Sequence, residues 1–177
     1  MNMKKGFTLF YALLVSTLAL SIGTAIFDLT VRQIGLSGAV TQSQYAVYAA
    51  DSGAECALYW DSRYVNAATS NNGGSNSAFA TSSADTTYAT SGIVCNGIDV
   101  APAAIAATPT TWPLSSNSNA ATTTFIITGT TYKNVTPCAV VYVAKVGNPS
   151  VTSITSHGYN TCTAGPLQLE RVLQVSY

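Results

Sequence analysis

The longest uncharged apolar run in the chain is Phe7–Phe27, 21 residues. At about 1.5 Å per residue, a helix of this length covers about 32 Å, enough to cross the hydrocarbon core of a bilayer. The helical pattern continues beyond it. Leu36, Val40, Ala46, Val47, Ala50, Ala54, Ala57 and Leu58 recur at steps mostly of three or four, which predicts an amphipathic continuation over 28–62. The small residues on that face permit close packing, on a sheet or on neighbouring helices. The C-terminal half of the stripe is expected to cover the core of its own domain. Trp60-Asp61-Ser62-Arg63 closes the helix.

From residue 63 to 177 the period changes and a β-rich globular domain is expected. Residues 66–92 are rich in Ser, Thr, Asn, Gly and Ala, with Asn71-Asn72-Gly73-Gly74 as a breaker, and read as a surface loop. The β-region starts near Ile93-Val94-Cys95, and the Pro-rich stretch Ala101–Pro113 reads as an extended connection. Thr123–Thr128 is a β-branched strand with Phe125 and Ile127 on one face. Cys138–Val146, apolar on both faces except for Lys145, is placed centrally. Gly147-Asn148-Pro149-Ser150 turns the chain, and Val151–His157 returns antiparallel. Leu167, Leu169, Leu173 and Val175 alternate with polar residues as a half-buried last strand ending at Tyr177. The expected class is α+β: one long N-terminal helix packed on a C-terminal antiparallel sheet.

Composition narrows the chemistry. Charged residues make up 8% of the 177, and formal net charge is zero. No basic patch offers phosphate neutralisation, so nucleic acid is not an expected partner. Lys4 and Lys5 precede the apolar span, and the positive-inside rule keeps that end cytoplasmic and the rest of the chain outside. No Ala-x-Ala-like site follows Phe27, as a cleaved secretory signal would require. All four cysteines, Cys56, Cys95, Cys138 and Cys162, lie beyond the span and read as two disulfides with three possible connectivities. The 138–157 hairpin brings Cys138 near the segment that holds Cys162, which suggests Cys138–Cys162 and leaves Cys56–Cys95. A zinc site is disfavoured, since no Cys-x-x-Cys occurs and His157 is the single histidine.

Lys4-Lys5-Gly6-Phe7-Thr8-Leu9-Phe10, a short basic leader with a glycine before a phenylalanine and an apolar helix, resembles the N-terminus of type IV pilins and pseudopilins. The resemblance implies a leader, 1–6, cut between Gly6 and Phe7 by prepilin peptidase, with N-methylation of Phe7. It also implies a transmembrane and filament-core helix over 7–27. Removal of Lys4 and Lys5 would leave five basic against seven acidic residues, a net charge of −2. The family's usual glutamate, five residues into the mature chain, falls on Tyr11. Some minor pilins and pseudopilins lack it, including members proposed to cap the filament. Gly23-Thr24 is where family helices can lose helicity inside filaments. Ala49-Ala50-Asp51-Ser52-Gly53-Ala54-Glu55-Cys56-Ala57-Leu58 and the closing Arg-Val-Leu-x-Val-x-Tyr resemble segments of PilX-like minor pilins, and the first also those of large minor pseudopilins.

The implied role is a non-catalytic minor pilin that primes or caps a pilus. Its partners would be prepilin peptidase, other pilins through the N-terminal helix, and the inner-membrane assembly platform. It would reside in the bacterial inner membrane before assembly and at the cell surface after it. The alternatives are a minor pseudopilin of type II secretion and a membrane-anchored surface-binding domain that never polymerises. A signal-anchored hydrolase is disfavoured, because no Gly-x-Ser-x-Gly, P-loop or His-Glu-x-x-His motif occurs. His157 in Ser156-His157-Gly158-Tyr159 is read as the end of a strand, and Asp51 with Glu55 as an exposed acidic face. Neither cofactor nor metal is expected. Asn134-Val135-Thr136 matches a glycosylation sequon, which in a bacterial chain reads as a chance match.

Overall fold

The periodicity of the first sixty residues leads to a single helix, α1, Lys4–Arg63, 60 residues long. The computed structural model describes residues 4–64, 77–82, 89, 91–101, 111–117, 119–131, 135–147 and 150–177. It divides at Thr41/Gln42 into two compact units.

In the first unit every described side chain from Phe7 to Thr41 is exposed, Phe7 and Phe27 by more than 70%. A helix this long and apolar meets the requirement for crossing a membrane. Five of its hydroxyls are bonded within the helix. Ser16, Thr17, Ser21 and Thr24 each donate their hydroxyl to the backbone carbonyl three residues earlier, at 2.8–3.0 Å, and Thr30 donates four residues back. No hydroxyl hydrogen of these five is left to be desolvated without a partner. The helix is unbroken through Gly23 and Thr24.

The second unit runs from Gln42 to Tyr177. A two-residue hairpin joins β1, Val94–Cys95, to β2, Ile98–Asp99. A five-stranded antiparallel meander follows: β3 (Thr111–Asn117), β4 (Ala120–Thr128), β5 (Cys138–Val146), β6 (Val151–Tyr159) and β7 (Glu170–Ser176), in spatial order β3-β4-β5-β6-β7. Strand β5 is central, as its apolar character on both faces predicts. Strand β3 was not legible, because Pro113 lies within it. Proline is tolerated on an edge strand, and the β3–β4 register shifts between Thr111 and Ser115.

Alternation on the sheet sets which residues meet the helix. Phe125 and Ile127 of β4, Val141 and Val143 of β5 and Ile154 of β6 are all buried. On the helix, Ala46, Ala50, Ala54 and Ala57 are buried, while Leu36, Val40 and Val47 are more than 40% exposed. The predicted stripe therefore meets the sheet only from Ala46 onward. Contact there is backbone-close. A Cβ added to Gly158 would stand 2.7 Å from the Ala50 Cβ and run into the helix backbone at Ala46 and Ala50. A Cβ on Gly53 would stand 2.8 Å from Val141 Cγ2.

Two expectations are corrected. The described part of the 66–92 stretch is not a surface loop: Ala78, Phe79, Ala80 and Ala89 are buried, and Phe79 stacks on Phe125 with centroids 5.9 Å apart. A lone phenylalanine among small residues has no periodicity to reveal it. The last strand starts at Glu170, and Leu167 is 83% exposed in the turn before it. The Asn71–Gly74 breaker and the sequon residue Asn134 lie outside the described residues.

Gly158→Ala should destabilise the second unit by about 1–3 kcal/mol, because overpacking here pushes against backbone. Gly23→Ala, with nothing within 4 Å, should be neutral or favour the helix by up to about 1 kcal/mol. Denaturant unfolding of the two full-length variants in detergent checks the contrast.

Candidate functional site

Gly6 lies in the first turns of α1, and Phe7 and Tyr11 are exposed on it, 73% and 63%. All three belong to the unit that ends at Thr41. Tyr11 presents a phenol where the resemblance expects a carboxylate.

The cysteines are paired as Cys56–Cys95 and Cys138–Cys162, with Cα atoms 5.9 and 5.6 Å apart, within the usual disulfide range. The first ties α1 to the β1–β2 hairpin. The second ties the start of β5 to the loop after β6, where the register sets Cys138 opposite Tyr159.

The strongest polar constellation went unread in the sequence. Asp61, in the last turn of α1, is 9% exposed, and Lys145 of β5 is 4% exposed. Lys145 Nζ lies 2.7 and 3.0 Å from the two Asp61 carboxylate oxygens and donates to Thr152 Oγ1 at 3.0 Å. Asp61 also accepts from the Tyr177 hydroxyl at 2.6 Å and from Ser77 Oγ. Thr152 and Tyr177 exchange both backbone hydrogen bonds, at 2.9 and 3.0 Å. The helix end, two central strands and the last residue thus share one satisfied buried charge pair. Burial, then the hydrogen bond and charge of Asp61, pushes the Tyr177 phenol up. Each of these side chains is a hydrogen-bond partner of another, so the cluster ties the helix end to the sheet.

His157 does not end a strand. It lies inside β6, with Nδ1 2.5 Å from Glu170 Oε1 of β7 and its ring edge-on to Tyr142. The hydrogen bond from His157, and a weaker one from Tyr159, hold the Glu170 carboxyl below the usual carboxylate range. Burial and the nearby Glu170 push the Tyr159 phenol up. The group is on the sheet face away from α1, and no nucleophile joins it within the contacts of the described residues. Asp51 and Glu55 are both exposed. Among the described residues no cluster of three metal-ligating side chains occurs.

A half-open cleft of about 430 Å³ lies between α1, the β1–β2 hairpin and the β4–β5 ends. Tyr45, Tyr48 and Ser52 form one wall, Asn96 the rim, and Ile127 and Ala139 the floor. Sequence reading missed it because its residues come from four separate segments, although the Asn96-Gly97 turn signal was present.

No protein-family model, curated protein or solved structure matches the chain.

Breaking the buried pair by Lys145→Met or Asp61→Asn should cost about 3–5 kcal/mol, because one charge or its hydrogen-bonding set is left alone. The double variant Asp61→Leu/Lys145→Met should recover much of that loss, as read by thermal unfolding. For Glu170, the depressed carboxyl contributes stability that is full above the usual carboxylate range and lost as pH falls through its folded value. Melting temperature should therefore fall on acidification from pH 5 towards pH 3, and fall less in Glu170→Gln.

Proposed function

We propose that this chain is a type IV pilin-like subunit, a PilX-like minor pilin that primes or caps a pilus and performs no catalysis. The observation that carries the reading is the conjunction of Lys4-Lys5-Gly6-Phe7 with a helix whose described side chains from Phe7 to Thr41 are all exposed. An apolar surface of this length needs lipid or other helices around it. A peptidase-cut anchor that passes from membrane to helix bundle provides both in turn. Two disulfides fit the oxidising side of the membrane for the second unit. Prepilin peptidase, other pilins and the inner-membrane assembly platform are the partners this reading requires.

Tyr11 favours a filament end over the shaft. In a bundle of such helices the neighbouring N-terminal ammonium would lack a carboxylate, and an unpaired charge in apolar surroundings is expensive. The leading subunit has no earlier terminus to neutralise, so there a tyrosine costs little. A minor pseudopilin of type II secretion shares these constraints, and the Ala49–Leu58 segment suits it equally.

Gly6→Val should leave a full-length precursor in the inner membrane, and in the unmutated strain that precursor should accumulate only when prepilin peptidase is deleted. Tyr11→Glu should raise the share of this subunit in sheared filaments. Normal processing of Gly6→Val, or indifference to the peptidase, would leave a plain membrane-anchored domain as the better account.

A further inference from the structure

The cleft between α1 and the β1–β2 hairpin combines three properties. First, its walls are fixed. The hairpin turn is Asn96-Gly97, with φ of 50° and 78°, the paired left-handed conformations of a type I′ turn. The Cys56–Cys95 bridge pins the strand before that turn to α1, and Trp60 Nε1 donates to Val94 O at 3.2 Å beside it. Asn96 is thereby held over the cleft, its Nδ2 donating to Ser52 Oγ at 3.3 Å. The opposite wall is fixed as firmly. Gly129 N donates to Pro137 O at 2.7 Å, and the neighbouring Cys138 is bridged to Cys162. Each disulfide braces one side of the same space.

Second, among the described residues the lining holds no Asp, Glu, Lys, Arg or His. The polar side chains among its lining residues, Tyr45, Tyr48, Ser52, Asn96, Thr128 and Thr130, carry hydroxyls and one amide. Such groups both donate and accept, and none favours a charged ligand. Third, the apolar part pairs aromatic faces with aliphatic floor: Tyr48 is 68% exposed, an aromatic side chain left standing in solvent at the edge of the cleft. At about 430 Å³ the space falls within the range of small-molecule sites, roughly 300–1,000 Å³.

We propose that this cleft binds a neutral saccharide. A sugar ring offers an apolar C–H face to lie on a tyrosine and a rim of hydroxyls that donate and accept at once, which matches the lining group for group. A rigid site suits such a ligand, because each weak hydrogen bond then forms without the cost of ordering the wall. The proposal is independent of the pilin reading, since all its residues belong to the second unit.

The test uses the full chain in a detergent without a sugar head group. Methyl glycosides of glucose, galactose, mannose and N-acetylglucosamine are compared with the corresponding reducing sugars, with N-acetylneuraminic acid as anionic control and a proline-rich decapeptide as peptide control. Saturation-transfer NMR and titration should show binding of at least one neutral sugar in preference to both controls. Stronger binding of the glycoside marks a conjugated glycan as the source, and stronger binding of the reducing form a free sugar. Tyr48→Ala should weaken binding about tenfold and Tyr48→Phe much less. Asn96→Gly keeps a residue suited to positive φ and removes the amide with its bond to Ser52, and it should weaken binding several-fold while lowering the melting temperature only slightly. The proposal is overturned if no neutral sugar binds, if either control binds better, or if Tyr48→Ala and Asn96→Gly bind as well as the parent.

Discussion

The second unit depends on how closely α1 approaches the sheet. With Gly158 and Gly53 at the contact, nothing larger than a hydrogen separates the helix backbone from β6, or the sheet side chains from the helix. Alanines at 46, 50, 54 and 57 extend the seam along one helical face. Such a seam buries little area per residue, so its specificity rests on fit. The Asp61–Lys145 pair closes the far end. Buried ion pairs are weak sources of net stability but strongly penalise wrong registers, where one charge would be left alone. The lock thus sets where along the sheet the glycines meet the helix, and the glycines set how near it comes.

This arrangement gives one helix two kinds of surroundings. From Ala46 onward its buried small residues pack on its own sheet. Up to Thr41 its large apolar residues are exposed, while the hydroxyls of Ser16, Thr17, Ser21, Thr24 and Thr30 are bonded to its own backbone. Side chains of that kind are suited to an environment without water. The division at Thr41/Gln42 lies within the continuous helix, which runs on to Arg63.

Much of the layout was legible because it follows from period. The span from Phe7, the centrality of β5, the β5–β6 hairpin and the inward side of Phe125 and Ile127 all come from spacing alone. What was not legible depends on partners distant in sequence. Lys145 reads as the polar exception in an apolar strand, and only the fold brings Asp61, 84 residues away, beside it. Gly158 reads as a turn glycine, and its use as a contact surface appears only with the helix in place. Phe79 was lost in a polar stretch, and β3 was hidden by its own proline. The cleft was invisible for the same reason, being assembled from four segments, while the disulfides that brace it were suggested by the hairpin.

The proposed role makes the N-terminal helix a processed, transferable anchor and the rest of the chain a separately locked domain. The most direct measurement is the intact mass of the full-length protein extracted from membranes, without reduction. The account predicts a chain that begins at Phe7, carries one added methyl group and lacks four hydrogens for two disulfides. A chain that retains Met1–Gly6, or one cut elsewhere in the helix, would contradict it.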